Sequence, residues 1–241
     1  GNALFVYANC SKEESKKISL VFRKKLTLRQ KNQWQSKWSQ NILRALRIQV
    51  RFEGSPPSKG MLVANHLSYV DIMAISYVLP ATFLSKAEVR KWPLIGFLTQ
   101  FAGTLFVRRE RKSDLHALTE TFSRVWKEDS MIVMFPEGTS SNGDTILPFK
   151  SSLLKPACDE SQPVTPALVK YECVGGSLEK DVYFWKDMTF APHLMRLLSV
   201  QSVRATVTFG QSQLPPHRNR KQLTQSLWLD VQKMHAAARK H

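Results

Sequence analysis

Met61-Leu-Val-Ala-Asn-His-Leu-Ser-Tyr-Val-Asp-Ile-Met-Ala-Ile-Ser-Tyr-Val-Leu79 changes character twice along its length. Met61–Ala64 is a short apolar run that reads as a strand, Asn65–Tyr69 is a polar connection, and Val70–Leu79 is helix-like. The same punctuation recurs outward from this stretch. Short apolar runs follow at Thr82–Leu84, Thr104–Val107, Met131–Phe135, Val164–Val169 and Val203–Phe209, with helix-like segments at Ser113–Lys127 and Ser151–Ala157 between them. A last helix, about Arg218 to Lys240, closes the chain, and Glu53-Gly-Ser-Pro-Pro57 punctuates the entry. Strands alternating with helices predict an α/β fold with a mixed, largely parallel sheet flanked by helices. In open sheets of this class the chemistry gathers in loops beyond the carboxyl ends of the strands.

The chain has 241 residues, enough for one large domain with its own core. Its 35 Lys and Arg against 19 Asp and Glu give a net charge of +16, which predicts an anionic partner and says nothing about fold. Three widely spaced cysteines, Cys10, Cys158 and Cys173, offer neither a disulfide framework nor a metal knuckle and suit a reducing environment. No two histidines stand three or four residues apart, so no metal site is expected. No stretch reaches the roughly 18–20 apolar residues of a membrane span. The nearest, Trp92–Val107, is interrupted by Pro93, Gly96, Gln100 and Gly103. The chain begins with Gly1 rather than Met, which leaves room for an upstream span.

Residues 1–50 are dense in Lys and Arg and poor in acids. Within them Trp34, Trp38, Ile42 and Leu46 recur at helical spacing beside Lys37, Arg44 and Arg47. Such a helix either lies in a membrane interface or packs as a surface helix on its own domain. The expected organisation is an N-terminal amphipathic, basic membrane-docking segment over 1–50 and a catalytic domain over 51–241.

Three strand ends carry candidate chemistry. After Met61–Ala64, His66 stands five residues before Asp71. A carboxylate on one imidazole nitrogen fixes the tautomer and leaves the other nitrogen free to take a proton from an alcohol. The competing reading is a capping box, with Ser68 as the N-cap, Asp71 as its acidic partner and His66 as an ordinary turn residue. After Met131–Phe135 comes Pro136-Glu-Gly-Thr-Ser-Ser-Asn-Gly143, where glycines permit close backbone approach and hydroxyls and amides hold anions, or which is an ordinary polar connection, since Gly, Ser and Asn are common in turns. After Thr104–Val107, the cluster Arg108-Arg-Glu-Arg-Lys112 suits a phosphate or forms a solvated helix start.

Taken together, His66-x₄-Asp71, Gly103-Thr-Leu-Phe-Val-Arg-Arg109, Phe135-Pro-Glu-Gly-Thr139 and Val164-Thr-Pro-Ala-Leu168 resemble the four ordered blocks of the glycerolipid acyltransferase family, whose members include 1-acylglycerol-3-phosphate O-acyltransferases. The resemblance covers roughly residues 50–210. It implies His66 as general base and Asp71 as the residue that orients it. It also implies Arg109 as a phosphate-binding residue, and Glu137, Gly138 and Thr139 as acceptor-binding. Pro166 matches a block tied to the acyl-donor side. Where the family often has an acidic residue before the second-block arginine, this chain has Arg108, which adds positive charge. Lys150, in Pro148-Phe-Lys-Ser151, is read as an additional phosphate contact.

The resemblance thus implies an O-acyltransferase that moves a fatty acyl group from acyl-CoA or acyl carrier protein to the hydroxyl of a lysophospholipid such as lysophosphatidate. No cofactor is expected beyond that co-substrate. No Gly-x-Ser-x-Gly elbow is present to suggest a covalent acyl-enzyme. The expected partners are an anionic membrane surface, the lysolipid and the acyl donor, at the cytoplasmic face of a membrane, and not nucleic acid. A lyso-ornithine lipid is the alternative acceptor. A non-catalytic membrane-surface module and a nucleic-acid-binding protein are the alternatives of another class. The latter rests on charge alone, without a zinc finger, an RNP motif or a clear helix-turn-helix.

Overall fold

In a computed structural model the protein is described over residues 27–86, 104–107, 112–216 and 219–239. Six α-helices and seven strands are found there. In chain order they are α1 (Leu28–Ala45), β1 (Ile48–Glu53), β2 (Met61–Ala64), α2 (Val70–Val78), β3 (Ala81–Lys86), β4 (Leu105–Val107), α3 (Lys112–Lys127), β5 (Met131–Met134), α4 (Lys155–Asp159), β6 (Val164–Val174), α5 (Phe190–Ser199), β7 (Ser202–Phe209) and α6 (Arg220–Ala238). A 3₁₀ turn at Ser151–Leu154 leads into α4, so the expected helix Ser151–Ala157 is divided between two helical geometries.

The strands form one sheet in the order β1-β7-β6-β2-β5-β3-β4. Every neighbouring pair is parallel except β6 with β7. Helices cover both faces. Leu43 of α1, Val70, Ala74 and Ile75 of α2 and Leu197 of α5 join one core with Leu62, Val133, Val169 and Tyr171. Leu118 and Phe122 of α3, Ala157 of α4 and Leu223 and Leu227 of α6 join the other with Met61, Val63, Ile132 and Met134. The apolar quartets Met-Leu-Val-Ala of β2 and Met-Ile-Val-Met of β5 are buried throughout, as central parallel strands covered on both sides must be. At about 25 cal/mol per Å² such double-sided burial is the main source of cohesion. β7 instead alternates, burying Val203, Ala205, Val207 and Phe209.

Two elements escaped the sequence reading. β1 buries only Ile48 fully and mixes charges with apolar residues, so its period is blurred. It spans the expected domain boundary between residues 50 and 51 and pairs with β7. α5 carries Pro192 in its first turn, which reads as a break although proline is tolerated there.

α1 opens with a capping box, Thr27 and Gln30 bonding each other's backbone N–H. Its fully buried face is largely polar: Asn32, Gln35, Ser36, Ser39 and Leu43. Asn32 Nδ2–H₂ donates to Thr82 Oγ1 (3.1 Å) and Ser130 Oγ (2.6 Å), which bolts the helix to β3 and to the turn before β5. Trp34, Trp38, Ile42 and Leu46, the expected stripe, lie half-buried to the side of this face, with the two indoles 5.5 Å apart. No helix among the described residues is long and apolar enough to cross a membrane. Residues 1–26 and 87–103 lie outside the described residues.

Candidate active site

β2 and β5 are parallel neighbours, so the loops at their carboxyl ends meet. His66 leaves the first and Glu137 the second. The β5 loop grips His66 from three directions. The His66 backbone N–H donates to Glu137 Oε1 at 3.1 Å, the Ser141 N–H donates to the His66 carbonyl at 2.9 Å, and the imidazole stacks on Phe135 with centroids 4.1 Å apart. The first and third sequence blocks therefore form one structural unit.

Within that unit His66 Nδ1–H donates to Asp71 Oδ2 at 2.7 Å. The same oxygen accepts the backbone N–H groups of Leu67 (2.7 Å) and Ser68 (3.0 Å). Asp71 sits in the first turn of α2, and its carboxylate turns back over the loop that precedes it. The five-residue spacing, wrong for one face of a continuous helix, is right for this return across a turn. The capping-box alternative does not hold. α2 has no side-chain N-cap, and Ser68 Oγ is buried with no hydrogen-bond partner among the described residues. The Asp71 side chain is fully buried while that of His66 remains 22% exposed. With Nδ1 occupied as a donor, Nε2 is the nitrogen that can accept a proton.

Tyr171, which the sequence reading did not single out, supplies a fourth bond, its O–H donating to Asp71 Oδ1 at 2.6 Å. The expected strand stopped at Val169, yet β6 runs on to Val174 because antiparallel β7 pairs with it as far as that residue. The signal lay in the period of two, which puts Val169 and Tyr171 on one face. Asn65 was also missed. Its side chain donates to the Val169 carbonyl (3.0 Å) and accepts the Val169 N–H (2.7 Å), imitating one more residue of ladder between β2 and β6.

The other expected site residues separate by position. Glu137 is 3% exposed. Its Oε2 accepts the Leu147 N–H at 3.4 Å, so its carboxyl ties the loop around His66 together. Burial pushes the Glu137 carboxyl up to about 8, the charge of Asp71 adds to this, and the two backbone donors oppose it. Gly138 is buried with φ +79°, a left-handed turn that suits glycine, and Thr139 beside it is exposed. Lys150 donates its backbone N–H to the Pro136 carbonyl at 2.9 Å and exposes its side chain. Pro166 is buried in β6 opposite Val63. Arg108 and Arg109 lie outside the described residues. The strand that leads to them, β4, ends at the same carboxyl edge, with β5 and β3 between it and β2. Among the described residues no three His, Cys, Asp or Glu side chains gather as a metal site would require.

Beside the His66 loop, α5 docks through His193. Its Nε2–H donates to the Tyr183 carbonyl (2.9 Å), which leaves Nδ1 to accept the Tyr69 O–H (3.1 Å). Burial lowers the His193 pKa and keeps it in this neutral tautomer. Phe184 and Phe190 pack edge-on against Tyr69 at 5.4 and 5.2 Å.

Known proteins resemble this chain in sequence and in fold. The Acyltransferase family profile matches residues 47–170, which contain both loops. A lyso-ornithine lipid O-acyltransferase of Pseudomonas aeruginosa is 37% identical over 162 residues, covering 67% of this chain and 62% of that protein. A second lyso-ornithine lipid O-acyltransferase, from Brucella abortus, is 31% identical over 217 residues and covers 80% of this chain and 79% of its own. A 1-acyl-sn-glycerol-3-phosphate acyltransferase of Neisseria meningitidis is 31% identical over 154 residues, with 64% and 60% covered. The chain thus spans about six-tenths of the length of the Pseudomonas and Neisseria relatives. The crystal structure of the 1-acyl-sn-glycerophosphate acyltransferase PlsC from Thermotoga maritima has a TM-score of 0.72 at 19% identity, covering 99% of this chain and 93% of that one, which establishes the shared fold. The profile match across both loops and the extent of the Brucella alignment lead to one assignment: the chain belongs to the acyltransferase family.

Proposed function

We propose that the protein is a lysolipid O-acyltransferase in which His66 is the general base. The observation that carries this is the 2.7 Å bond from His66 Nδ1–H to a fully buried Asp71 carboxylate. An alcohol is a weak nucleophile until a base takes its proton. In the proposed reaction the acceptor hydroxyl attacks the carbonyl carbon of the acyl thioester while His66 Nε2 takes the hydroxyl proton. The C–O bond forms, the tetrahedral intermediate collapses, the C–S bond breaks, and the imidazolium returns its proton to the thiolate. Asp71 stabilises the imidazolium meanwhile. Base assistance of this kind contributes about 10²–10⁴ in rate.

For the acceptor, lysophosphatidate fits the cationic Arg108–Arg109 pair. On this reading Arg109 binds its phosphate, with Thr139 and Lys150 nearest the solvent side of the loop and Glu137 and Gly138 shaping it. Lyso-ornithine lipid is the second reading, because relatives with that name match at 37% and 31% identity. The donor is acyl-CoA or acyl carrier protein, both anionic and both suited to a chain of net charge +16. The same charge, with the half-exposed Trp38 and Ile42 on α1, supports docking of the 1–50 segment on an anionic, cytoplasmic membrane face.

Purified protein assayed against lysophosphatidate, lyso-ornithine lipid and other lysolipids with each donor tests the proposal. Ester formation on a lysolipid is expected, and steep salt-dependent DNA binding without transfer would overturn it. Arg109→Ala should raise the acceptor KM more than the donor KM if the acceptor carries a phosphate. A selective rise in the donor KM would move Arg109 to the donor side.

A further inference from the structure

Among the described residues, four hydrogen bonds converge on the Asp71 carboxylate, and they divide unequally. Oδ2 takes three: from His66 Nδ1 and from the Leu67 and Ser68 amides. Oδ1 takes one, and among the described residues its donor is the Tyr171 hydroxyl at 2.6 Å. Both side chains are closed to solvent, with Asp71 at 0% and Tyr171 at 1% exposure. Tyr171 is held in turn by the edge of the Tyr183 ring, 6.2 Å away between centroids. Its burial, together with the neighbouring Asp71 charge, keeps the phenol protonated and therefore a donor.

The terminal torsion of an aspartate is broad, so pinning one oxygen leaves the plane of the carboxylate free to rock. The second oxygen fixes that plane, and here a residue of another strand does so. β6 fixes the catalytic loop at two points: the Val169 main chain pairs with Asn65 just before His66, and the Tyr171 side chain reaches Asp71 at the far end. The whole His66-x₄-Asp71 turn is thereby referenced to β6.

We propose that Tyr171 is a positioning residue for acyl transfer, its hydroxyl holding Asp71 Oδ1 so that Oδ2 stays aligned on His66 Nδ1. The proposal rests on His66 being the general base. It has an electronic consequence beyond packing. A hydroxyl donated to Oδ1 spreads the carboxylate charge. Without it, more of that charge rests on Oδ2, the oxygen that faces His66 Nδ1. The acid limb of kcat/KM then moves up in pH.

The test compares wild type, Y171F, D71N and the D71N/Y171F double variant, with unfolding melts on each. For Y171F we expect a cooperative melt, acceptor and donor KM values near those of wild type, and kcat lower by roughly ten- to hundredfold through misalignment. Its acid limb should move up by about half a pH unit or more. If the tyrosine acts through Asp71, the double variant is no slower than D71N. A folded Y171F with wild-type kcat and an unmoved limb overturns the proposal, as do losses that multiply in the double variant. Should Y171F fail to fold, 3-fluorotyrosine at position 171 keeps the shape and strengthens the donor. The acid limb should then move down, and an unmoved limb overturns the proposal. Loss of turnover in H66A is the independent control. An active H66A refutes the base itself, whereas a dead H66A with an unaffected Y171F refutes only the role of the tyrosine.

Discussion

The Glu137 carboxyl group accepts the backbone N–H of His66 at 3.1 Å, so the third sequence block acts on the main chain of the first. Burial, with Asp71 nearby, raises the Glu137 carboxyl from its ordinary 4.5 to about 8. The folded protein therefore keeps a proton that the unfolded chain releases above 4.5. Stability from this group is complete below that value and declines as pH rises towards 8. Glu137→Gln cannot titrate. Melting temperatures measured from pH 5 to 9 should show the variant gaining on wild type as pH rises, then running parallel above 8. Parallel curves throughout would mean that Glu137 is ionised across the range.

Asp71→Asn replaces an acceptor of four hydrogen bonds with a group that must turn an N–H₂ towards donors. At least one buried donor is left unmet, which costs about 1–3 kcal/mol. The imidazole tautomer also loses its anchor, and kcat should fall by about 10²–10⁴. Urea unfolding and steady-state rates on the same preparation check both. A stable Asp71→Asn variant with wild-type kcat would break the link between this carboxylate and the base.

The His66–Asp71 pairing at the centre of the candidate site was legible because its spacing is local. His66 and Asp71 are five residues apart, and a strand, a turn and a helix between Met61 and Val78 bring them together whatever the rest of the chain does. Tyr171 is 100 residues from Asp71 and reaches it only through the pairing of β6 beside β2. No local pattern encodes that approach. α1 shows a different limit. Its apolar spacing was evident, but the docked face is built from Asn32, Gln35, Ser36 and Ser39, and a search for hydrophobic period looks past a polar interface. β1 was hidden for the related reason that an edge strand with one fully buried residue has little period to detect.

Tyr69→Phe removes the hydroxyl that His193 Nδ1 accepts and leaves a buried acceptor unmet. A loss of about 1–3 kcal/mol is expected in urea unfolding. Because the folded-state pKa of His193 is lowered, its contribution is present above the ordinary 6.5 and is lost as pH falls below that value. Wild-type stability should therefore decline on acidification through this range, and His193→Gln should blunt the decline. An undiminished slope in His193→Gln would assign it to other groups.

The half-exposed stripe on α1 gives a prediction for docking. Trp38→Ala with Ile42→Ala removes apolar area outside the helix's fully buried face. Sedimentation with anionic vesicles should fall while the melting temperature changes little. Activity on a short-chain soluble lysolipid should survive better than activity on membrane-embedded lysolipid. Unchanged sedimentation would place the docking surface elsewhere on the chain.

The most direct test of the central claim is the turnover of purified His66→Ala with a lysolipid acceptor and an acyl thioester donor, read beside its melting curve. A folded variant whose kcat falls by about 10²–10⁴ or more is the predicted result. A folded variant that transfers acyl groups at close to the wild-type rate would contradict the assignment of His66 as the base.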